Sequence, residues 1–313
     1  MSKTSKFGAY LVFFAALLWA TDAPFRLHLT QNFSSNFIVL AEHFFDTIII
    51  LPVLFLNRGE MKRLSARHWL AIAVIAVGGS ALASVAFTQA FHYVNPSVAI
   101  LLQKLQPLIV IGLAATFLHE QLRARFWLWA VVALAGAYMI SFPHLIPQTF
   151  AGETLNPNLV GVGFALVAVL LWGLSTVLGK YALGTVSFKV MTSLRFVLAF
   201  VFLAILNVAQ KTLPPLSSVT PKDWLFLLAI AVTSGVVSLF IYYRGLQYTK
   251  ASVATLAELG FPLGAVIVNA IFLKIILQPW QIVGMVVLLL AVFQLGRVNA
   301  SDTIDQASLS LAD

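Results

Sequence analysis

The chain has no cysteine among its 313 residues and very little charge. Without cysteine it forms no disulfide and holds no thiolate metal site, and the sequence carries no mark of a redox compartment. Only 10% of the residues are charged, against roughly 25% in soluble domains. Asp and Glu together number only 11. Zinc-protease, nucleophile-elbow and phosphate-loop patterns are missing, and no Ser/His/Asp set stands out, so neither an enzyme nor a cofactor is expected. Apolar residues fill the space left by charge: 60% of the chain is hydrophobic and the mean hydropathy is +0.95. That balance fits a protein that crosses a membrane many times. The net charge of +8 does not point to nucleic acid, because the basic residues sit in short loops between apolar runs, where they set topology.

A helix needs about 20 mainly apolar residues to cross the hydrocarbon core. Ten stretches qualify: 7–28, 36–56, 68–91, 96–118, 125–142, 158–181, 187–207, 223–244, 251–273 and 279–297. Their length, and the lack of alternation at every second residue, makes them helices and not barrel strands. The fold class expected is an all-α membrane protein. Segments 143–157 and 208–222 are the longer loops, rich in proline, and 143–157 serves as a linker between halves 1–142 and 158–297. The polar stretch 298–313 is expected to be a disordered cytoplasmic tail. With the N-terminus placed inside, Arg26, Lys211, Lys222 and Lys274 fall outside, and Lys104 and Arg195 fall within spans. The remaining thirteen Lys and Arg fall inside, which puts both termini in the cytoplasm.

The two halves repeat one another. Ala15-Ala16-Leu17-Leu18-Trp19 matches Ala168-Val169-Leu170-Leu171-Trp172 at an offset of 153. At an offset of 155, Gln89–Pro107 aligns with Arg244–Pro262, with identities at Tyr93/Tyr248, Ser97/Ser252, Val98/Val253, Ala99/Ala254, Leu101/Leu256 and Pro107/Pro262. A unit of five spans is odd in number, so the second copy sits upside down relative to the first. Inverted repeats with a cavity between them are a construction of secondary transporters.

On these residues the chain resembles the EamA-type ten-helix members of the drug/metabolite transporter superfamily. The resemblance rests on Leu17-Leu18-Trp19-Ala20, Leu171-Trp172-Gly173, Leu194-Arg195-Phe196, the stretch Ala90–Pro107, Phe117-Leu118-His119-Glu120-Gln121-Leu122, and the second copy ending at Pro262. It covers nearly all of 7–297. Two departures stand out: Glu42-His43-Phe44 replaces the Arg-Phe usual in the family, and Ile275 stands where the first half has Glu120. The resemblance implies transport, often export, of small metabolites such as amino acids, nucleotide-linked compounds or amphipathic cations.

Ionisable side chains within spans are costly and usually face a cavity or a partner. Asp22 and Arg26 stand four apart on the first helix and read as a pair. Glu42, His43 and Asp46 share about one turn of the second helix. They read as a proton relay, as a cation site, or as a cluster neutralised by Arg195 or Lys104; their spacing matches no established metal set. His43 aligns roughly with Arg195 across the repeat. Gln103 aligns with Glu258 across the repeat, which puts Lys104 and Glu258 on pseudo-symmetric helices near the midplane, where a zwitterion would find an ammonium and a carboxylate. Alternatively, Lys104 and Glu258 bond each other. Trp19, Trp172 and Tyr242 are candidate aromatic walls. Pro107 and Pro262 occupy one repeat position and are read as matched bends or hinges.

The function expected is a secondary transporter, an exporter of an amino-acid-like or amphipathic solute, working by alternating access around a midplane cavity in a bacterial inner membrane. Its partners would be that small molecule and membrane lipid. A membrane-embedded enzyme and a passive channel or scaffold stay open as alternatives.

Overall fold

A computed structural model describes residues 2–93, 99, 102–103, 105–122, 124–141, 159–273 and 278–309. Among them there is no strand; hydrocarbon offers the backbone no water, and helices satisfy it internally. In the first half the helices are α1 (Ser2–Trp19), α2 (Ala23–Leu29), α3 (Ser35–Leu56), α4 (Ala66–Val74), α5 (Ala83–Ala90), α6 (Gln106–Phe117) and α7 (Ala124–Ser141). In the second half they are α8 (Leu159–Ala182), α9 (Phe188–Gln210), α10 (Pro221–Ile230), α11 (Ser238–Gln247), α12 (Ala251–Ala257), α13 (Gly260–Leu273) and α14 (Pro279–Leu309). π-helical turns over Ile75–Leu82 and Ala231–Val237 join α4 to α5 and α10 to α11.

Six helical units are long and apolar enough to cross a membrane: Phe7–Leu29, Ser35–Leu56, Ala66–Ala90, Val160–Ala182, Phe188–Gln210 and Pro221–Gln247. Four shorter apolar helices, Gln106–Phe117, Ala124–Ile140, Ala251–Ala265 and Pro279–Leu295, take the places of the remaining expected spans. Two of those four are interrupted where the sequence reading draws unbroken spans. In the second half α12 stops at Ala257, residues 258–259 turn, and α13 starts at Gly260. Leu105 makes a turn just before α6. Pro107 therefore lies in the first turn of a new helix, where its missing N–H costs nothing, instead of kinking a continuous one. Pro262 takes the third position of α13 and is buried. A second difference concerns the tail. α14 runs on to Leu309, past Val298, because no proline or glycine after Gly296 stops it.

Helix starts follow their local chemistry. Ser34 and Ser187 accept the amides of Phe37 and Val190 at the heads of α3 and α9. Thr220 and Asp223 form a capping box on α10, with Pro221 in its first turn.

Several contacts gather on the face that carries residue 8. Gly8 lies against Gly245 and Thr249. Lys180 Nζ donates to the carbonyls of Leu246 (2.9 Å) and Gln247 (3.1 Å), the negative end of α11. Glu120 accepts from the amides of Ala251 (2.7 Å) and Ser252 (3.2 Å), the positive end of α12. Glu60 does the same for Ser187 at the head of α9 (2.8 Å). On the opposite face the two halves meet through His28 and Asp223 (3.3 Å) and through Asn36 and Gln210 (2.6 Å).

Close helix approach depends on small residues. An added Cβ on Gly136 of α7 would lie 2.8 Å from the backbone nitrogen of Leu288 in α14, and one on Gly284 would lie 2.9 Å from the Gly136 carbonyl. Backbone atoms cannot swing aside. Gly136→Ala should therefore cost about 1–3 kcal/mol and lower the thermal midpoint in detergent. Gly163→Ala, with nothing within 4 Å of its added carbon, should leave the midpoint unchanged or raise it.

Candidate functional site

Between the halves, and between the two contact belts, lies a cavity of about 180 Å³. Its wall contains Trp19, Glu42, His43, Asp46, Gln103, Trp172, Arg195, Tyr242 and Glu258, so nine of the ten substrate-site residues expected from sequence meet in one place. The tenth, Lys104, lies outside the described residues, and with it the expected Lys104–Glu258 contact. Of the two prolines read from sequence as bends or hinges, Pro107 borders a small side pocket next to Trp19 and Glu258.

The charged side of the cavity is built around Arg26. The chain turns at residues 20–22 between α1 and α2, and this break brings Arg26 inward. Its Nη2 donates to Asp22 Oδ2 (2.8 Å) and Glu42 Oε2 (3.1 Å), and its Nη1 to Thr88 Oγ1 (3.0 Å). Arg26 is 6% exposed and Glu42 5%. The Asp22–Arg26 pair expected from the helical spacing is present. It extends further than expected, however, because Glu42 is neutralised by Arg26 and not by Arg195. The i,i+4 spacing of Asp22 and Arg26 is legible in a sequence, whereas the approach of α3 to α2 is not.

Arg195 takes neutral partners. It donates to Ser80 Oγ, to Tyr243 Oη (2.6 Å) and to the Gly79 carbonyl (3.2 Å), and its guanidinium lies 5.7 Å from the Tyr243 ring centroid. No carboxylate among the described residues is within ion-pair distance of it. Glu258 also has neutral partners: it accepts from Gln106 Nε2 (2.7 Å) and Tyr242 Oη (2.9 Å). Tyr242 in turn meets Thr176 Oγ1 at 3.0 Å.

Besides Glu42 Oε1, which the Arg26 guanidinium faces at 3.1 Å, four buried polar atoms on the cavity wall have no hydrogen-bond partner among the described residues: His43 Nε2, Asp46 Oδ1, Gln103 Oε1 and Ser175 Oγ. His43 Nδ1 is 2.9 Å from the Val39 carbonyl, which can only accept, so Nδ1 carries the proton. In the neutral ring Nε2 is then an acceptor. The wall thus offers mainly acceptors to an occupant.

Two aromatic pairs complete it, and they are exchanged between the halves. Trp19 packs on Tyr242 (ring centroids 5.3 Å apart) and Trp172 on Phe87 (5.1 Å). Trp19 and Trp172 are repeat partners, and Phe87 and Tyr242 stand at the offset of 155. The sequence reading named Tyr242 as an aromatic wall but missed Phe87, which the offset of 155 pairs with it. It also missed Ser80, Ser175 and Thr88, because isolated hydroxyl residues in apolar helices carry no positional signal. Tyr93 and Tyr248 are exposed near helix ends and stay away from the cavity.

Apolar helices in two related halves, meeting at a polar cavity, define a multi-pass membrane protein built like a secondary carrier. The family model described as "EamA-like transporter family" matches residues 6–142 and again 159–297. The chain belongs to the EamA-like transporter family, and it is a small-molecule transporter of the membrane. Among curated proteins it is 28% identical over 297 residues to the riboflavin transporter ImpX of Fusobacterium nucleatum, covering 93% of this chain and 98% of that one. It is 29% identical over 131 residues to the uncharacterized inner membrane transporter YhbE of Escherichia coli K12, covering 42% and 40%. One solved crystal structure superposes with a TM-score of 0.72 over 94% of this chain and 98% of that one; at 14% identity it speaks for the fold alone.

Arg26 is the only positive charge touching Asp22 and Glu42 among the described residues. Arg26→Gln would leave the buried Glu42 carboxylate and the half-buried Asp22 carboxylate unpaired, and the protein should lose roughly 3–5 kcal/mol of stability. Adding Glu42→Gln to that variant should recover much of the loss. Thermal unfolding of the three proteins in one detergent checks both expectations.

Proposed function

We propose that this chain carries a planar aromatic solute with a hydroxyl-bearing tail, with riboflavin as the first candidate, by alternating access around the cavity. The observation that carries the reading is the pairing of two aromatic walls with an acceptor-rich polar wall. Trp19 with Tyr242 and Trp172 with Phe87 suit a flat ring system. His43 Nε2, Asp46 Oδ1, Gln103 Oε1 and Ser175 Oγ suit a row of hydroxyl donors. Similarity along 98% of the length of a relative named a riboflavin transporter supports the choice of solute. At about 180 Å³ the cavity is smaller than the roughly 300–1,000 Å³ of open ligand pockets, so entry needs the walls to separate. Rocking of half 1–142 against half 158–297, bending near Pro107 and Pro262, would supply that movement.

The amino-acid-like solute expected from sequence is less well served. Arg26 is spent on two carboxylates and Arg195 on neutral groups. A second reading, an amphipathic cation, draws on the excess of acid: Asp22, Glu42, Asp46 and Glu258 outnumber Arg26 and Arg195 on the described wall. Nothing on the described wall favours export over uptake, and direction in this reading follows the solute gradient. The basic loops and a relative named an inner membrane transporter support a bacterial inner membrane with cytoplasmic termini.

Proteoliposomes preloaded with riboflavin should show saturable counterflow of labelled riboflavin, and Trp172→Ala should raise the half-saturation concentration about tenfold. Stacking on an aromatic is worth roughly 1–3 kcal/mol. Counterflow of amphipathic cations without riboflavin flux would replace the first reading by the second, and saturable flux of amino acids alone would overturn both.

A further inference from the structure

The two π turns stand at the same depth in the two halves: Ile75–Leu82 begins nine residues into the Ala66–Ala90 span, and Ala231–Val237 ten residues into Pro221–Gln247. Where a helix passes from i→i+4 to i→i+5 bonding, backbone groups at the junction lose their regular partners. Inside a membrane, side chains have to meet them.

Here the partners come crosswise from the opposite half. The first half's turn is met by Arg195 of α9, which donates to the Gly79 carbonyl (3.2 Å) and to Ser80 Oγ. The second half's turn is met by Asp46 of α3. Its carboxylate lies flat on Gly235, where an added Cβ would come within 3.1 Å of Asp46 Cγ. A cation thus serves a carbonyl in one turn, and a carboxylate packs on the backbone of the other. Asp46 is 2% exposed and Arg195 7%, and neither forms an ion pair among the described residues. Both line the cavity.

We propose that Asp46 and Arg195 are positioning residues that staple each half to the π turn of the other, so that an occupant of the cavity drawing on either one loosens the joint between the halves. The link to transport rests on the carrier reading above; the staples themselves do not.

Hydrogen exchange followed by mass spectrometry on the full chain in nanodiscs separates the two. Arg195→Gln should speed amide exchange in Ile75–Leu82 about tenfold and leave Ala231–Val237 within about twofold. Asp46→Asn should do the reverse. Both segments rising together in each variant, or neither rising, would overturn the staples. Should Arg195→Gln fail to fold, Ser80→Ala and Gly235→Ala each disturb one contact and should reproduce the same crosswise pattern. In the same preparation, riboflavin affinity read from the quenching of its fluorescence should stay within about threefold in Ser80→Ala, which loosens the Arg195 staple, while counterflow falls about tenfold. Equal loss of affinity and flux would make the Ser80 hydroxyl a binding group and end the staple's part in transport. If wild-type protein binds no riboflavin, the solute reading fails while the exchange data still decide the staples.

Discussion

Hydrocarbon has no hydrogen bonds to give, and most of this structure follows from that shortage. Backbone groups inside a helix are satisfied by that helix, so helices are the only regular element among the described residues. Helix ends and interruptions are where the shortage becomes acute, and charged side chains are found there. Glu60 and Glu120 hold the amides that open α9 and α12, and Lys180 holds the carbonyls that close α11. Polar side chains with no helix end to serve collect in the space between the halves, because only other polar groups make it tolerable. The cavity is the place where the shortage is solved collectively, and a polar solute can join the solution.

The inverted repeat gives that space its symmetry. Each aromatic pair takes its tryptophan from one half and its partner from the other, as each π turn takes its charged contact. In the proposed alternating access, a wall built by exchange would divide when the halves part and would be exposed to one side at a time. Close packing at Gly8 and Gly245, and at Gly136 and Gly284, keeps the helices near enough for the exchange to work.

Much of this was legible in the residue order. Paired tryptophans and prolines at near-constant offset gave two halves, and intramembrane polar and aromatic residues picked out nine positions of one wall. The break at 258–259 was read only as a bend at Pro262, although Gly260 and Pro262 follow it directly. The π turns were hidden, because a change from i→i+4 to i→i+5 bonding inside an apolar run changes no composition. The partner of Glu42 was hidden because it depends on how α2 folds back after residues 20–22, a three-dimensional fact that leaves no periodicity. Lys104, the most conspicuous charge in the sequence reading, lies outside the described residues.

The absence of cysteine makes the central claim, a solute site between the halves, directly measurable. Ser84 and Ser234 face the cavity from the two halves, and each can be replaced singly by cysteine in a chain with no other thiol. Reaction of Ser84→Cys and Ser234→Cys with a membrane-impermeant thiol reagent, with and without riboflavin, is the measurement. The account predicts that both positions react and that riboflavin slows both, because one occupant covers both walls. Reaction that the transported solute leaves untouched at both positions, in protein that still moves it, would place the solute path elsewhere.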